Sequence, residues 1–347
     1  MTTYRKEHMK HREELELLES KLFSSGHISE IGGIAYGGSH AYGLATADSD
    51  VDLRGFALPT AEDILKMHDF EQVDTMDGVD AAIYSLRKEL GLLMACNPNV
   101  IEMLGIKEDH ILVDSDVYRA IRENKSWFIS RKCAATFGGY ATAQLRRIQN
   151  AMSRDGEDAK RLAEGALRSM NAAVASFSDR YANYSEGGIT LRVEDNGEDT
   201  PCVYADFNVK NMPIHEFRGM CGELDDINKN AANLGKNRRK KDGKISKHGS
   251  HLVRLLLMGS EMLETGNIHT YWEGETAQLL LDLKKGMWLN IDADGKRSYA
   301  PEFWDLLDEA EKRFEYAKEN TSLPEQPNEK AVYELMMDTH RKIVLNS

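Results

Sequence analysis

The stretch Gly37-Gly38-Ser39-His40-Ala41-Tyr42-Gly43, with Ser49-Asp50-Val51-Asp52 a few residues on, decides how this chain is read. Before it, Ile31-Gly32-Gly33-Ile34-Ala35-Tyr36 is a short apolar run bounded by glycines and reads as a buried strand. After it, Val51 to Leu58 reads as a second strand, stopped by Pro59. Residues i and i+2 of a strand share a face, so Asp50 and Asp52 aim two carboxylates at one point with Val51 behind them. Asp80, at the head of the apolar run Val79 to Tyr84, adds a third carboxylate. Three carboxylates on one sheet edge repel one another unless a counter-charge joins them. Mg²⁺, or Mn²⁺ in its place, supplies that charge and takes oxygen ligands together with substrate phosphates. Gly38 and Ser39 offer backbone N–H groups and a hydroxyl to a phosphate tail. A lone Asp-x-Asp is most often a solvated turn. The order strand, glycine turn, strand and third carboxylate gives this one its weight.

Outward from this stretch, Lys10 to Phe23 carries Leu15, Leu18 and Leu22 at helical spacing, which predicts a helix lying on a core. Helices are expected around Ala61 to Met67 and from Ser85 to Cys96, the second ending at Asn97-Pro98. Beyond about Trp127 long helical stretches dominate: Cys133 to Met152, Glu157 to Tyr184, Pro213 to Leu234, Ser246 to Thr265 and Pro301 to Asn320. One hairpin interrupts them, Ile189 to Val193 and Cys202 to Phe207 around Asn196-Gly197. The expectation is an α+β fold with a strand-bearing domain over residues 1–125. A mainly helical domain with an inserted β-hairpin, over 126–347, would close a cleft against it.

The chain has 347 residues and a net charge of −13, which excludes a bulk nucleic-acid coater or a membrane-surface binder. Phosphate binding must then be local. The exception to the acidic balance is Lys236 to Lys247, where seven cations stand against Asp242 alone; it reads as a solvated loop or a track for an RNA backbone. The four cysteines form no CxxC pair, and no stretch approaches a membrane span. With no signal peptide evident, a cytoplasmic setting is expected.

The run Gly38-Ser-His-Ala-Tyr-Gly-Leu-Ala-Thr-Ala-Asp-Ser-Asp-Val-Asp-Leu-Arg-Gly55 resembles the signature of the DNA polymerase β-like nucleotidyltransferase superfamily, and within it the predicted RNA-ligase-associated nucleotidyltransferases of bacteria and phages. Asn97 to Leu104, Lys247 to Leu256 through Gly266, and Asn320 to Pro327 are similar to further blocks of that family. The resemblance implies a polymerase β-like nucleotidyltransferase sheet with flanking helices. It also implies transfer of a nucleoside monophosphate from a nucleoside triphosphate such as ATP to an acceptor hydroxyl, with pyrophosphate leaving. Asp50, Asp52 and Asp80 would hold the metal and carry catalysis. An RNA end is the expected acceptor, as in RNA repair. The alternatives are a protein or small-molecule acceptor, or a nucleotide sensor that does no chemistry; the three carboxylates argue against the last. Oligomeric state is open.

The segment Ser246 to Thr265 is apolar around most of its circumference, so the helix is expected to be largely buried. Lys247, His251 and Arg254 nevertheless form one cationic stripe on it. A buried cation needs a partner. The stripe is expected to face the carboxylates across the cleft and hold the nucleotide, with the planar fork of Arg254 on phosphate, rather than to pair with acids. Gly38, Ser39 and Tyr42 complete the expected nucleotide contacts, Tyr42 by stacking on a base or by packing the turn. Asn97 and Glu102 are expected to cap and support a helix.

Overall fold

The computed structural model describes residues 3–4, 12–47, 49–68, 70–74, 80–153, 155, 168, 172–181, 190–194, 202–236 and 242–347. The first part of the chain contains β1 (Thr3–Tyr4), α1 (Arg12–Ser24), β2 (Ile28–Tyr36), α2 (Gly38–Ala41), β3 (Asp52–Pro59), α3 (Ala61–Lys66), β4 (Gln72–Val73), β5 (Asp80–Ser85), α4 (Leu86–Met94), α5 (Pro98–Ile101), β6 (Ile111–Asp114) and α6 (Asp116–Glu123). There follow α7 (Lys132–Met152), a helical stretch α8 over 172–181, β7 (Thr190–Glu194), β8 (Cys202–Asp206), α9 (Ile214–Lys236), α10 (Asp242–Thr265), α11 (Gly274–Lys285), β9 (Leu289–Ile291), β10 (Arg297–Tyr299), α12 (Pro301–Asn320) and α13 (Glu329–Leu345). The α+β class is borne out.

The chain falls into two compact units. The first comprises Met1–Arg146, Ser246–Trp288 and Ala300–Ser347, so the helices α11 to α13 and most of α10 belong with the sheet. The change of pattern near residue 125 therefore lies inside this unit. The second comprises Arg147–Ile245 and Leu289–Tyr299.

In the first unit six strands form one sheet in the order β1-β6-β2-β3-β5-β4. Its pairings are antiparallel except β3 with β5, which run parallel with Asp52 opposite Asp80. The leucines of α1 at 15, 18 and 22 are buried against Ile31, Ile34, Leu53, Ala57, Ile83 and Val113. Each such side chain contributes about 1.5–3 kcal/mol by leaving water. Because side chains alternate along β3, burying Leu53 on this face turns Asp52 and Arg54 to the other. Strand β6 and helices α6, α11 and α13 have no counterpart among the sequence expectations; only three apolar residues, Ile111 to Val113, mark β6.

In the second unit Val174, Phe177, Tyr181, Leu191, Met220 and Ile227 form the core. The hairpin β7–β8 pairs Thr190 with Asp206 through Glu194 with Cys202, as its sequence predicts; its Asn196-Gly197 turn lies outside the described residues. Arg297 is fully buried and held by Asp155 and Asp242, with Nε donating to Asp155 Oδ2 at 2.7 Å. Of the basic run, Lys236 closes α9 and Lys244 and Lys247 sit on α10, while Arg238, Arg239, Lys240 and Lys241 lie outside the described residues. Most of the expected helix Glu157 to Tyr184 also lies outside them. Among the described residues no helix is long and apolar enough to cross a membrane.

Candidate active site

The turn between β2 and β3 is anchored at its base, where Gly37 N–H donates to the Asp52 carbonyl at 2.8 Å. It then forms the single turn of α2. Gly38 has φ +52°, the left-handed region that glycine enters without penalty. It also lies so close to Asp52 that a Cβ placed there would come within 1.8 Å of the carboxylate Oδ2. The glycine is thus required twice, by backbone conformation and by the carboxylate seated against it.

Asp52 and Asp80 stand side by side on the parallel pair β3–β5. Arg54, two residues along the same face, places guanidinium nitrogens 3.7 Å from an oxygen of each. Burial raises the Asp52 carboxyl above the usual carboxylate range; Arg54 opposes this, and Asp80 and Asp50 add to it. Strand β3 begins at Asp52, so Asp50 precedes it in an irregular, exposed position. Its approach to Asp52 is therefore set by the loop and not by strand alternation. Val51 still packs behind, against the α1 side of the sheet.

Beside this cluster lies a cavity of about 250 Å³. Gly38, Ser39, Tyr42 and Leu44 line one part of it, and Lys247, Ser250, His251, Arg254 and Lys284 the rest. All six residues expected to contact nucleotide therefore border one space. Asp50, Asp52 and Asp80 do not line it; Asp52 adjoins it through Gly38. A larger hollow, of about 540 Å³, lined by residues such as Ser29, Thr60, Asp116 and Lys342, borders none of the expected site residues.

Arg254 does not meet the expectation of a fork open to phosphate. It is buried, and a terminal nitrogen donates to Glu102 Oε1 at 2.7 Å. Its guanidinium lies 3.6 Å from the centre of the Tyr42 ring, and the Tyr42 hydroxyl donates to Glu102 Oε2 at 2.5 Å. Burial pushes the Tyr42 phenol far up, so it stays a donor. Glu102, read as helix support, is the acid that takes up the charge; a cation buried this deeply is held by the nearest carboxylate. Asn97 does cap, accepting from Asn99 N–H at 3.0 Å. Tyr42 is thereby clamped between α10 and the segment after α5.

Lys284 is the site residue that sequence reasoning missed. Its Nζ donates to the Leu44 carbonyl at 2.7 Å and reaches Ser49 Oγ at 3.5 Å. Burial lowers its pKa and Lys247 adds to the effect, while the nearby Asp52 opposes it. Lysines 284 and 285 end α11 as ordinary helix-closing cations, so nothing local distinguishes the one that turns inward.

Residues 34–173 match the family model described as the RNA repair pathway DNA polymerase beta family. An uncharacterized 38.9 kDa protein of Enterobacteria phage T4, from the nrdC-mobD intergenic region, is 28% identical across 73% of this chain and 82% of its own length. No solved structure matches the chain. The polymerase β-like resemblance carried by Gly38-Ser39 and Asp50-Val51-Asp52 is borne out over the matched stretch.

Proposed function

We propose that the protein is a metal-dependent nucleotidyltransferase that transfers a nucleoside monophosphate from a nucleoside triphosphate to the hydroxyl of an RNA end. The observation that carries the proposal is the in-register pair Asp52–Asp80, seated against Gly38 and bordered by a cation-lined cavity. The residues fit Mg²⁺ or Mn²⁺ in donor type: the three carboxylates supply only hard oxygen donors, and two of them, Asp52 and Asp80, stand in register on the β3–β5 pair. Asp50, Asp52 and Asp80 would hold the ion, which supplies charge neutralisation of the phosphates and of the oxygens being joined and released.

The chain's own groups do the rest. Ser39 and the amides of the Gly38 turn bind the outer phosphates, and Lys247, His251 and Lys284 set positive charge along the cavity where the triphosphate lies. Tyr42, fixed by Glu102 and Arg254, offers a rigid aromatic wall. The acceptor oxygen forms its bond to the α-phosphorus as the bond to the bridging oxygen of pyrophosphate breaks, and Asp80 takes the hydroxyl proton. The acceptor assignment is supported by the RNA repair description of the matched family.

The test is incubation with each labelled triphosphate, Mg²⁺ or Mn²⁺, and RNA bearing a free terminal hydroxyl, beside total cellular protein and small-molecule extract. The proposal expects labelled RNA and stoichiometric pyrophosphate, both abolished by Asp52→Asn. Label in the protein or small-molecule pool would move the acceptor. Absence of pyrophosphate with every pool would overturn the activity.

A further inference from the structure

We propose that His27, Asp63 and His68 form a second metal site, built from residues other than the carboxylates Asp50, Asp52 and Asp80, that takes a borderline divalent transition ion of the zinc type. His27 Nδ1 lies 3.2 Å from both oxygens of Asp63, and His68 Nδ1 lies 3.0 Å from Oδ1. One ligand atom from each residue falls within 4.8 Å of the others. Zinc bonded at about 2.0–2.2 Å to nitrogen and oxygen spaces tetrahedral ligands by roughly 3.3–3.6 Å. The two nitrogen–oxygen separations need open by only a few tenths of an ångström, and the two nitrogens lie within 4.8 Å of each other. Both imidazoles turn Nδ1 to Oδ1 of one carboxylate, so a single ion placed there would be in reach of all three residues.

The backbone fixes all three positions. Thr60 N–H donates to the His27 carbonyl at 3.2 Å, which ties the residue before β2 to the start of α3. Met67, in the left-handed region at φ +54°, reverses the chain at the end of α3, so that His68 N–H donates to the Asp63 carbonyl at 2.9 Å. Asp63 is buried, and the Thr60 hydroxyl donates to its Oδ2 at 2.6 Å, the outer hydrogen bond that orients a metal-binding carboxylate. The histidine side chains are 46% and 53% exposed, which opens an entry path and leaves the fourth position to water. Two imidazoles and one carboxylate suit zinc or its neighbours and disfavour Mg²⁺, which prefers oxygen ligands throughout.

The experiment is titration of the metal-stripped full chain with Co²⁺, read by visible absorption, followed by displacement with Zn²⁺ and challenge with excess Mg²⁺. The proposal expects one tetrahedral Co²⁺ without a thiolate charge-transfer band, displaced by Zn²⁺ and not by Mg²⁺, apart from any Co²⁺ that Mg²⁺ displaces from Asp50, Asp52 and Asp80. His27→Ala and His68→Ala should each weaken binding roughly ten-fold or more and remove the Zn²⁺-induced rise in melting temperature. Asp52→Asn should leave the tetrahedral Co²⁺ spectrum unchanged. Circular dichroism and metal-free melting of the histidine variants check that they fold. Full Co²⁺ affinity in folded His68→Ala, or a thiolate band lost in Cys221→Ser, would overturn the proposal and leave a His–Asp–His hydrogen-bond cluster.

Discussion

Replacing Gly38 by alanine separates the geometry of the carboxylate cluster from the stability of the fold. The ideal Cβ would sit 1.8 Å from Asp52 Oδ2 and 2.8 Å from its Cγ, whereas real Cβ contacts stay beyond 3.0 Å. The carboxylate must therefore retreat by more than 1 Å or the turn must open. A misplacement of about 1 Å at a reacting centre costs on the order of 10²-fold in rate. The φ of +52° adds a backbone penalty of about 1–2 kcal/mol. Gly26→Ala is the control: it has φ +74° and nothing within 4 Å, so it carries the backbone penalty alone. The assay is pyrophosphate release under saturating triphosphate, with thermal unfolding measured in parallel. Gly26→Ala should lose about 1–2 kcal/mol of stability and Gly38→Ala at least as much, and Gly38→Ala alone should lose activity by roughly 10²-fold or more. Gly38→Ala with activity near wild type would refute the seating of Asp52 against this turn as a catalytic requirement. Equal loss in Gly26→Ala would show that the effect is on the fold.

The buried pair Arg254–Glu102 should be a stability element: Arg254→Ala leaves a buried carboxylate without its cation and should cost about 3–5 kcal/mol in chemical denaturation. Arg254→Lys, which keeps charge but loses the flat contact with Tyr42, should recover only part of that; full recovery would mean that the stacking is immaterial. Lys284→Met should raise the KM for triphosphate about ten-fold and, because it also removes the bond to the Leu44 carbonyl, destabilise the fold by roughly 1.5–3 kcal/mol; an unchanged KM would remove Lys284 from the site. Burial holds the Glu89 carboxyl well above the usual carboxylate range, so it stays protonated in the fold after the unfolded chain has ionised. Its contribution to stability is fullest below the ordinary glutamate value and declines as pH rises above it. Glu89→Gln should accordingly raise the melting temperature at neutral pH, with the gain shrinking toward about pH 4; a gain independent of pH would assign the effect to packing.

The local sequence determined the elements that carry its strongest periodicities. Leu15, Leu18 and Leu22 fix the buried face of α1, and the apolar run around Ile31 and Ile34 fixes β2. The glycines at 37 and 38 mark the turn, and Asn97-Pro98 marks the start of α5. Spacing alone also put Lys247, His251 and Arg254 on one helical stripe, because the helical repeat needs no tertiary partner to be read. Tertiary structure decided what those side chains meet. Strand alternation could not say that Asp52 pairs in register with Asp80 on a parallel neighbour, since register between strands far apart in sequence is a long-range choice. Nor could it say that β3 starts two residues too late to carry Asp50 on its face. The pairing of Arg254 with Glu102, 152 residues away, and the inward turn of Lys284 toward Leu44, 240 residues away, leave no local pattern. A buried charge takes whichever opposite charge or carbonyl the packed fold brings nearest, and only the closed chain determines that neighbour.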